Sequence, residues 1–343
     1  MLFLSLYIKQ SIFIMKKEYF LLLLILLSFQ LFSQKNANFI KAEDSLQKLG
    51  TIIIGGENDF IKYNANEKFL SLLGNTLLQE NSFDYPFDSL ITIARLVSED
   101  KKLRIFNWNL RKTDGTYEYF GIIQAWNKKE KKYYLYPLKD NSDKITTPEM
   151  QNLTNTNWYG AHYYKIIYNK SRGKKYYTLL GWDGNDLLSQ KKIIDVLIFN
   201  SNEKPVFGAS IFKYNKKLQK RVIFEYSTTV SMSLKYEKQF MYSGKKNRKS
   251  IVTDGLNIDI VDKVPGKKSR NMIVFDRLAP KDPSLEGQYQ FYYPETNVFD
   301  AFIFRMGKWN MVKDVDARMR KKTGAEKAKV KAIIKEQKKH QRN

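Results

Sequence analysis

The spacing of the apolar residues changes near residue 103, and this change constrains the fold more than any other feature. Before it, Phe39, Ala42, Leu46 and Leu49 recur at three- and four-residue intervals, as they would on one face of a helix. After it, residues 103–109 alternate in the way that places side chains on opposite faces of a strand. The sequence therefore predicts a helical start followed by a β-rich body.

Three helical segments are expected before the change. The first covers residues 36–50 and ends at Gly50, and the second covers Asn66–Leu78. A third short helix, capped by Asp88 or Ser89, is favoured by the spacing of Leu90, Ile93, Ala94 and Val97.

Beyond residue 103, short turns separate a series of strands. Asp114-Gly115 is typical of a tight hairpin turn, and Ser171-Arg172-Gly173 predicts another. The expected strands are 103–109, 117–126, 132–138, 158–168, 176–182, 192–199, 221–226, 231–236, 272–275, 288–293, 301–304 and 309–312. Because short turns join antiparallel neighbours, the predicted fold is mainly β (α+β), with antiparallel sheets arranged as a meander, a sandwich or propeller-like blades.

Composition divides the chain into four parts. Residues 1–33 form a signal segment, residues 34–100 an α-rich region, residues 101–316 an antiparallel β region, and residues 317–343 a basic tail that is helical or disordered. Residues 139–157 are rich in Asn, Ser, Thr and Asp and mark a candidate internal boundary of the β region.

The first 33 residues are typical of an export signal. Met15-Lys16-Lys17 supplies a positive start, and Tyr19–Phe32 forms an apolar run of about 14 residues. Such a run is short for a bilayer, so we expect an exported chain, periplasmic or outer-envelope associated, with no transmembrane span in its mature form. An uncleaved anchor is the alternative, and either Met1 or Met15 is the start.

The sequence has no cysteine and a formal net charge of +24. The first property excludes disulfides, thiolate metal sites, a Cys nucleophile and a lipidated N-terminal cysteine. Residues 318–343 hold 11 Lys/Arg and 2 Glu, while residues 34–317 retain a net charge of +13. Such a field favours an anionic envelope polymer or an acidic envelope protein as partner, and a Lys- and Asn-rich genome is the alternative explanation.

Catalytic signatures are absent from the sequence. Histidine occurs only as His162 and His340, too few for a zinc site, and no Gly-x-Ser-x-Gly elbow is present. Gly55-Gly56 and residues 243–246 fall short of a phosphate-binding loop. We therefore predict no catalytic residue, no metal and no cofactor, and the lack of a nucleic-acid motif disfavours nucleic acid as partner.

The best local candidate for a ligand site is the run that contains Trp182, Asp183, Asn185 and Asp186. Three oxygen-bearing side chains within four residues are compatible with a calcium loop. Leu187 and the lack of a Glu at the twelfth position depart from the helix-loop-helix calcium signature. The interpretations left open are a turn held by its own Asp and Asn side chains, a glycan-binding edge and a calcium site.

A second candidate lies at residues 275–287. Asp276, Asp282 and Glu286 offer carboxylates for glycoside hydrolysis, which needs two of them about 5–10 Å apart. The Ala-Pro and Asp-Pro steps instead favour a rigid structural loop, in which Arg277 pairs with a nearby acid.

Several strings occur in an order that resembles a family of uncharacterised exported proteins of Gram-negative bacteria. The resemblance spans roughly residues 85–316 and is carried by Trp158-Tyr159-Gly160, Tyr176–Asp186, Pro205–Gly208 and Ile273–Tyr289. It implies export and a single continuous β region, and it transfers no catalytic residue.

Three functions follow in order of support. The first is a non-enzymatic envelope protein, a binding or scaffold module for an anionic surface polymer or another envelope protein. The second is a glycan-acting hydrolase with paired Asp/Glu residues, which requires a cleft in which two carboxylates face each other. The third is polyanion or nucleic-acid binding through the basic tail.

Overall fold

The computed structural model describes residues 37–253 and 256–315, with the backbone alone described for residues 240–268. The predicted signal segment and basic tail lie outside the described residues. Within the described residues strands predominate and two helices lie near the N-terminus, which confirms the mainly β class.

Two helices open the described chain. Helix α1 covers residues 37–55 and α2 covers Asp59–Leu78. The side chain of Asn58 caps α2 by accepting a hydrogen bond from the backbone N–H of Ile61 at 3.0 Å. Each helix buries one face, as the intervals of the apolar residues predict, and neither is long and apolar enough to cross a bilayer.

The prediction of a third helix is wrong, because residues 94–97 form a strand inside the region predicted as α-rich. The preceding turn is held against α1, where Glu43 Oε1 accepts hydrogen bonds from the backbone N–H groups of Ser89 (2.6 Å) and Leu90 (3.1 Å). These contacts and the burial of Leu90 and Ile93 decide the conformation over a local helical interval.

Sixteen strands follow in the described residues, with short 3₁₀ turns between some of them. In chain order they are β1 (Ala94–Val97), β2 (Leu103–Arg111), β3 (Tyr117–Asn127), β4 (Lys132–Lys139), β5 (Leu153–Thr154), β6 (His162–Ser171), β7 (Lys174–Asp183), β8 (Ser189–Phe199), β9 (Pro205–Phe207), β10 (Phe212–Tyr214), β11 (Lys217–Gln219), β12 (Val222–Ser227), β13 (Leu234–Thr253), β14 (Leu256–Pro280), β15 (Tyr292–Arg305) and β16 (Lys308–Val312).

These strands form three sheets. The first has the order β1-β2-β3-β4, the second β5-β9-β8-β7-β6 with β12 also paired to β8, and the third β11-β10-β16-β15-β14-β13. Neighbours are antiparallel, as predicted, except for β10 and β16, which are parallel. Residues 140–152 connect the first sheet to the second, within the predicted boundary at 139–157.

The helices and sheets are stacked as layers in chain order. Alternation along β2 places Phe106 and Trp108 against the helices, and Ile105 against the second sheet. Along β7, Leu179 faces the first sheet and Leu180 the third. The sheets therefore pack face to face through separate apolar cores, an arrangement closer to an extended sandwich than to radial blades.

The hairpin of β13 and β14 is much longer than the sheet to which it belongs. Strand β14 pairs with β15 only from Ile273 onward, whereas its pairing with β13 continues from Ser269 to Leu256. Among the described strands, none other pairs with this outer part. The hairpin thus continues beyond the third sheet as a two-stranded ribbon.

Candidate functional site

A cleft of about 680 Å³ opens between the first and second sheets at one end of the stack. Three loops form it: residues 112–116 after β2, residues 140–144 after β4, and residues 184–188 after β7. In this cleft Asp183, Asn185 and Asp186 of the first predicted site lie beside residues from other strands. Its charged lining residues are Lys112, Lys144, Lys191, Asp114, Glu118, Asp140, Asp143, Asp183 and Asp186.

Asp183 is the most buried carboxylate of the cleft, because its position on β7 turns it toward the first sheet. Its Oδ1 accepts hydrogen bonds from the Tyr119 hydroxyl (2.8 Å) and from the backbone N–H of Asn185 (2.8 Å). The backbone N–H of Gly184 in turn donates to the Tyr119 hydroxyl at 2.8 Å. Only glycine fits at position 184, since a Cβ there would lie 2.2 Å from the Tyr117 ring.

Lys191 provides the positive charge opposite Asp183. Its Nζ lies 3.8 Å from Asp183 Oδ2 and donates to Asn185 Oδ1 at 2.7 Å and to the Tyr159 hydroxyl at 3.4 Å. Burial raises the pKa of Asp183, and the nearby Lys191 offsets this only in part. Burial also acts to lower the pKa of Lys191, but Tyr159 and Asp183 outweigh it, and that pKa is raised.

The neighbouring carboxylates are occupied by the backbone. Asp140 accepts hydrogen bonds from the N–H groups of Tyr119, Ser142 and Gly160. Asp186 Oδ1 accepts from the N–H groups of Leu188 (2.7 Å) and Ser189 (2.8 Å). Both side chains thus hold loops in place, and among the described residues no group of His, Asp or Glu is arranged to hold a metal ion.

Trp182 lies beside the cleft but does not line it. It points to the opposite face of β7 from Asp183, and its Nε1 donates to Gln190 Oε1 at 2.8 Å. Its ring meets the Tyr117 ring edge-on, with the centroids 5.3 Å apart. The indole therefore packs against the outside of the cleft wall.

The second predicted site belongs to the third sheet, and none of its residues lines the cleft. Asp276 accepts a hydrogen bond from the backbone N–H of Ser233 at 2.7 Å. Arg277 binds both carboxylate oxygens of Asp300, at 3.1 and 2.5 Å, and Asp314 at 2.8 Å. Glu286 is exposed after the short 3₁₀ turn Pro283–Leu285. The structure therefore places these three residues apart from Asp183.

Five turns lie together at the end of the stack opposite the cleft. They cover residues 98–102, 128–131, 172–173, 200–204 and 306–307, and with their flanking residues we call them the basic end. Contacts join turns of different sheets: Lys175 Nζ lies 2.8 Å from Asp100 Oδ2, and Lys129 Nζ donates to the Ser201 carbonyl at 3.1 Å. A Cβ on Gly307 would lie 3.2 Å from Ser171 Oγ.

The charge of the basic end is strongly positive. Four acidic residues, Glu99, Asp100, Glu130 and Glu203, stand against thirteen basic ones. All of the basic residues except the half-buried Lys308 are exposed: Lys101, Lys102, Lys128, Lys129, Lys131, Lys132, Lys170, Arg172, Lys174, Lys175, Lys204 and Arg305.

Aromatic rings accompany these lysines. Lys102 Nζ lies 4.7 Å from the centre of the Trp126 ring, and Lys132 Nζ lies 4.9 Å from that of Tyr134. Both rings are half-buried. The basic end therefore combines positive charge with accessible ring surface, a combination that suits anionic ligands with apolar faces.

Sequence reasoning missed both groupings for different reasons. Tyr119, Asp140, Tyr159 and Lys191 come from separate segments, and no local motif connects them. The basic end had a usable signal, because clusters of Lys and Arg surround two predicted hairpin turns, at residues 128–132 and 170–175.

No family model matches the chain, and no curated protein or solved structure shows significant similarity to it. The resemblance to exported proteins stays a prediction.

Proposed function

We propose that this chain is an exported, non-enzymatic envelope protein that binds an anionic surface polymer through its basic end. The observation that carries the proposal is the convergence of five turns from three sheets. These turns gather thirteen basic residues against four acidic ones, with nearly all of the basic side chains exposed.

A rigid array of this kind favours a long polyanion over a small anion. The sheets fix the spacing of the turns, so a flexible polymer can contact several lysines at once without ordering the protein further. Each contact is weak in water and screened over about 8–10 Å at physiological salt, so affinity comes from the number of contacts and falls as salt rises.

The carboxylates of the cleft stabilise the fold, and this makes the cleft a weaker candidate for a functional site than the basic end. A hydrolase needs one carboxyl group free to transfer a proton and a second free to act on substrate or water. Asp140 and Asp186 are occupied by backbone N–H groups, and Asp183 is bonded to Tyr119 and Asn185. Their roles in the loops favour the binding hypothesis over the glycan-acting hydrolase.

The test measures binding of polygalacturonate and polyphosphate to the purified protein at several salt concentrations. We expect the fourfold variant Lys128→Glu, Lys131→Glu, Arg172→Glu and Lys174→Glu to lose about tenfold or more in affinity. The matched control is Lys41→Glu, Lys68→Glu, Lys144→Glu and Lys281→Glu, which makes the same change in net charge at exposed positions outside the basic end.

Equal losses in the two fourfold variants would contradict the proposal, because net charge alone would then explain binding. A second variant lacks residues 318–343. If this deletion abolishes binding and the basic-end variant does not, the tail is the binding element and the proposal is wrong.

A further inference from the structure

A groove of about 700 Å³ lies at the basic end, between the helices and the first sheet. It runs between the end of α2, residues 79–84, and the hairpin of β3 and β4. Its apolar lining comes from both sides: Leu77, Leu78, Phe83, Trp126, Tyr133 and Leu135.

Three aromatic rings form one wall of the groove. Phe83 and Tyr133 are stacked, with their centroids 4.2 Å apart, and Trp126 meets Tyr133 edge-on at 5.1 Å. All three rings are half-buried, so they are held by their neighbours and still present ring surface to the groove.

A buried positive charge lies behind this wall. Arg104 is 2% exposed, and its hydrogen bonds end on neutral oxygens: the Gln124 side chain and the carbonyls of Ser82 and Tyr85. Burial lowers the pKa of Arg104 to about 10, so the guanidinium stays protonated at neutral pH. Asp84, whose negative charge acts to raise the pKa of Arg104, is exposed on the groove rim. The Arg104 guanidinium lies 5.2 Å from the centre of the Phe83 ring, so a positive charge backs the aromatic wall of the groove.

The rim carries charges of both signs and several hydrogen-bonding groups. Lys131 and Lys132 enter from the hairpin of β3 and β4, and Gln79 and Asn81 supply exposed amide groups. Glu80 and Asp84 add two carboxylates to the lining. An acyl chain offers the polar groups of the rim no hydrogen bond, whereas sugar hydroxyls can form hydrogen bonds with them. The polar groups thus favour a sugar over a lipid tail.

We infer that the groove binds a unit of an acidic polysaccharide, with a sugar ring against Trp126 and Tyr133 and its carboxylate toward Lys131. This inference rests on the proposed polymer binding at the basic end and names the class of polymer. The ring surface explains why a carboxylated sugar is selected over a simple anion of equal charge, since only the sugar has an apolar face to bury.

The experiment compares two polyanions on the whole protein in about 50 mM NaCl, where electrostatic contacts persist. Pentagalacturonate carries sugar rings and carboxylates, while polyphosphate carries charge alone. We expect Trp126→Ala to weaken the binding of pentagalacturonate about tenfold and the binding of polyphosphate less than about twofold. Trp182→Ala, a half-buried tryptophan at the cleft, is the matched control and should leave both affinities unchanged.

Lys131→Gln gives an independent measurement, because an exposed lysine can be replaced without risk to the fold. It should weaken pentagalacturonate about threefold to tenfold and leave a neutral galactan oligomer unaffected. Near-ultraviolet circular dichroism of Trp126→Ala checks that the aromatic cluster is intact.

The outcomes separate this inference from the proposed function. If the basic-end variant loses both polyanions while Trp126→Ala and Lys131→Gln lose neither, the polymer binds elsewhere on that end and the groove assignment is overturned alone. If Trp126→Ala weakens oligo(dT) more than pentagalacturonate, the groove stacks nucleobases and the sugar assignment is wrong. If binding of pentagalacturonate depends on Trp126 but polyphosphate does not bind at all, the groove assignment is supported. The proposal of a general polyanion-binding surface is then wrong.

Discussion

The two ends of the sheet stack use charged side chains in opposite ways. At the cleft end, Asp140, Asp183 and Asp186 accept hydrogen bonds from the loops around them. At the basic end, Lys and Arg side chains surround the turns and most are exposed to solvent. The carboxylates of a cleft can therefore serve to stabilise its loops, while a set of turns without any sequence motif can supply a binding surface.

The difference is energetic as well as geometric. A buried charge depends on its partners, because removing one partner leaves an uncompensated group in a poorly solvated place. An exposed lysine makes contacts that water and salt weaken, and its replacement changes stability little. Mutations at the cleft end should thus report on the fold, and those at the basic end on binding.

The largest expected effect is that of Asp183→Ala. It leaves the Tyr119 hydroxyl and Lys191 without their buried carboxylate, so the free energy of unfolding should fall by about 2–4 kcal/mol. Urea unfolding measures it. Asp143→Ala, an exposed carboxylate of the same cleft, is the control and should change stability by less than about 0.5 kcal/mol. Equal effects would show that Asp183 has no special role in the fold.

The change of stability with pH should have opposite signs for Asp183 at the cleft end and Asp100 at the basic end. The pKa of Asp183 is raised by burial, so the folded state retains its proton longer and Asp183 lowers stability as pH rises above 3.8. Burial also acts to raise the pKa of Asp100, but hydrogen bonds from Lys175 and Ser98 outweigh it and that pKa is lowered. The stability that Asp100 contributes is therefore present above pH 3.8, its ordinary pKa. This stability is lost as the pH falls through the lower pKa of Asp100 in the folded state.

The variants Asp183→Asn and Asp100→Asn test these signs. Urea unfolding between about pH 3 and pH 7 gives the difference between wild type and variant at each pH. That difference should decrease with rising pH for Asp183→Asn and increase for Asp100→Asn. Parallel slopes would mean that the two carboxylates have similar surroundings.

The smallest expected effect on stability comes from shortening the ribbon of β13 and β14. Joining Phe240 to Ser269, which are paired, by Asn-Gly removes residues 241–268 and keeps the part that packs on β15. The free energy of unfolding should change by less than about 1 kcal/mol, as measured in urea. A much larger loss would show that the ribbon stabilises the layers.

Sequence patterns predicted the strands whose interactions are local. Residues 103–109 alternate along β2, and β3 and β4 follow it as antiparallel neighbours joined by short turns. The turn at Arg172 and Gly173 has the positive φ values (48° and 79°) of a tight hairpin. Strand β1 was missed because Leu90, Ile93 and Val97 fit a helical interval equally well. Contacts with α1, which is distant in sequence, decide between the two.

The stacking of the sheets, and with it both ends of the molecule, could not be predicted from local patterns. Asp183 was singled out from its neighbours in the chain, but Tyr119 and Lys191 reach it only because the first and second sheets pack face to face. The five turns of the basic end likewise become one surface through that packing.

The parallel pairing of β10 with β16 has a consequence for the order in which the chain folds. Phe212 lies beside Trp309, so this contact joins positions about 100 residues apart, while each hairpin closes over a short loop. The helices and the first sheet can form while the C-terminal residues are still being synthesised. The third sheet cannot, because β10 and β11 have no place in it until β16 arrives. Closure of this sheet should therefore be the slow, late step of folding.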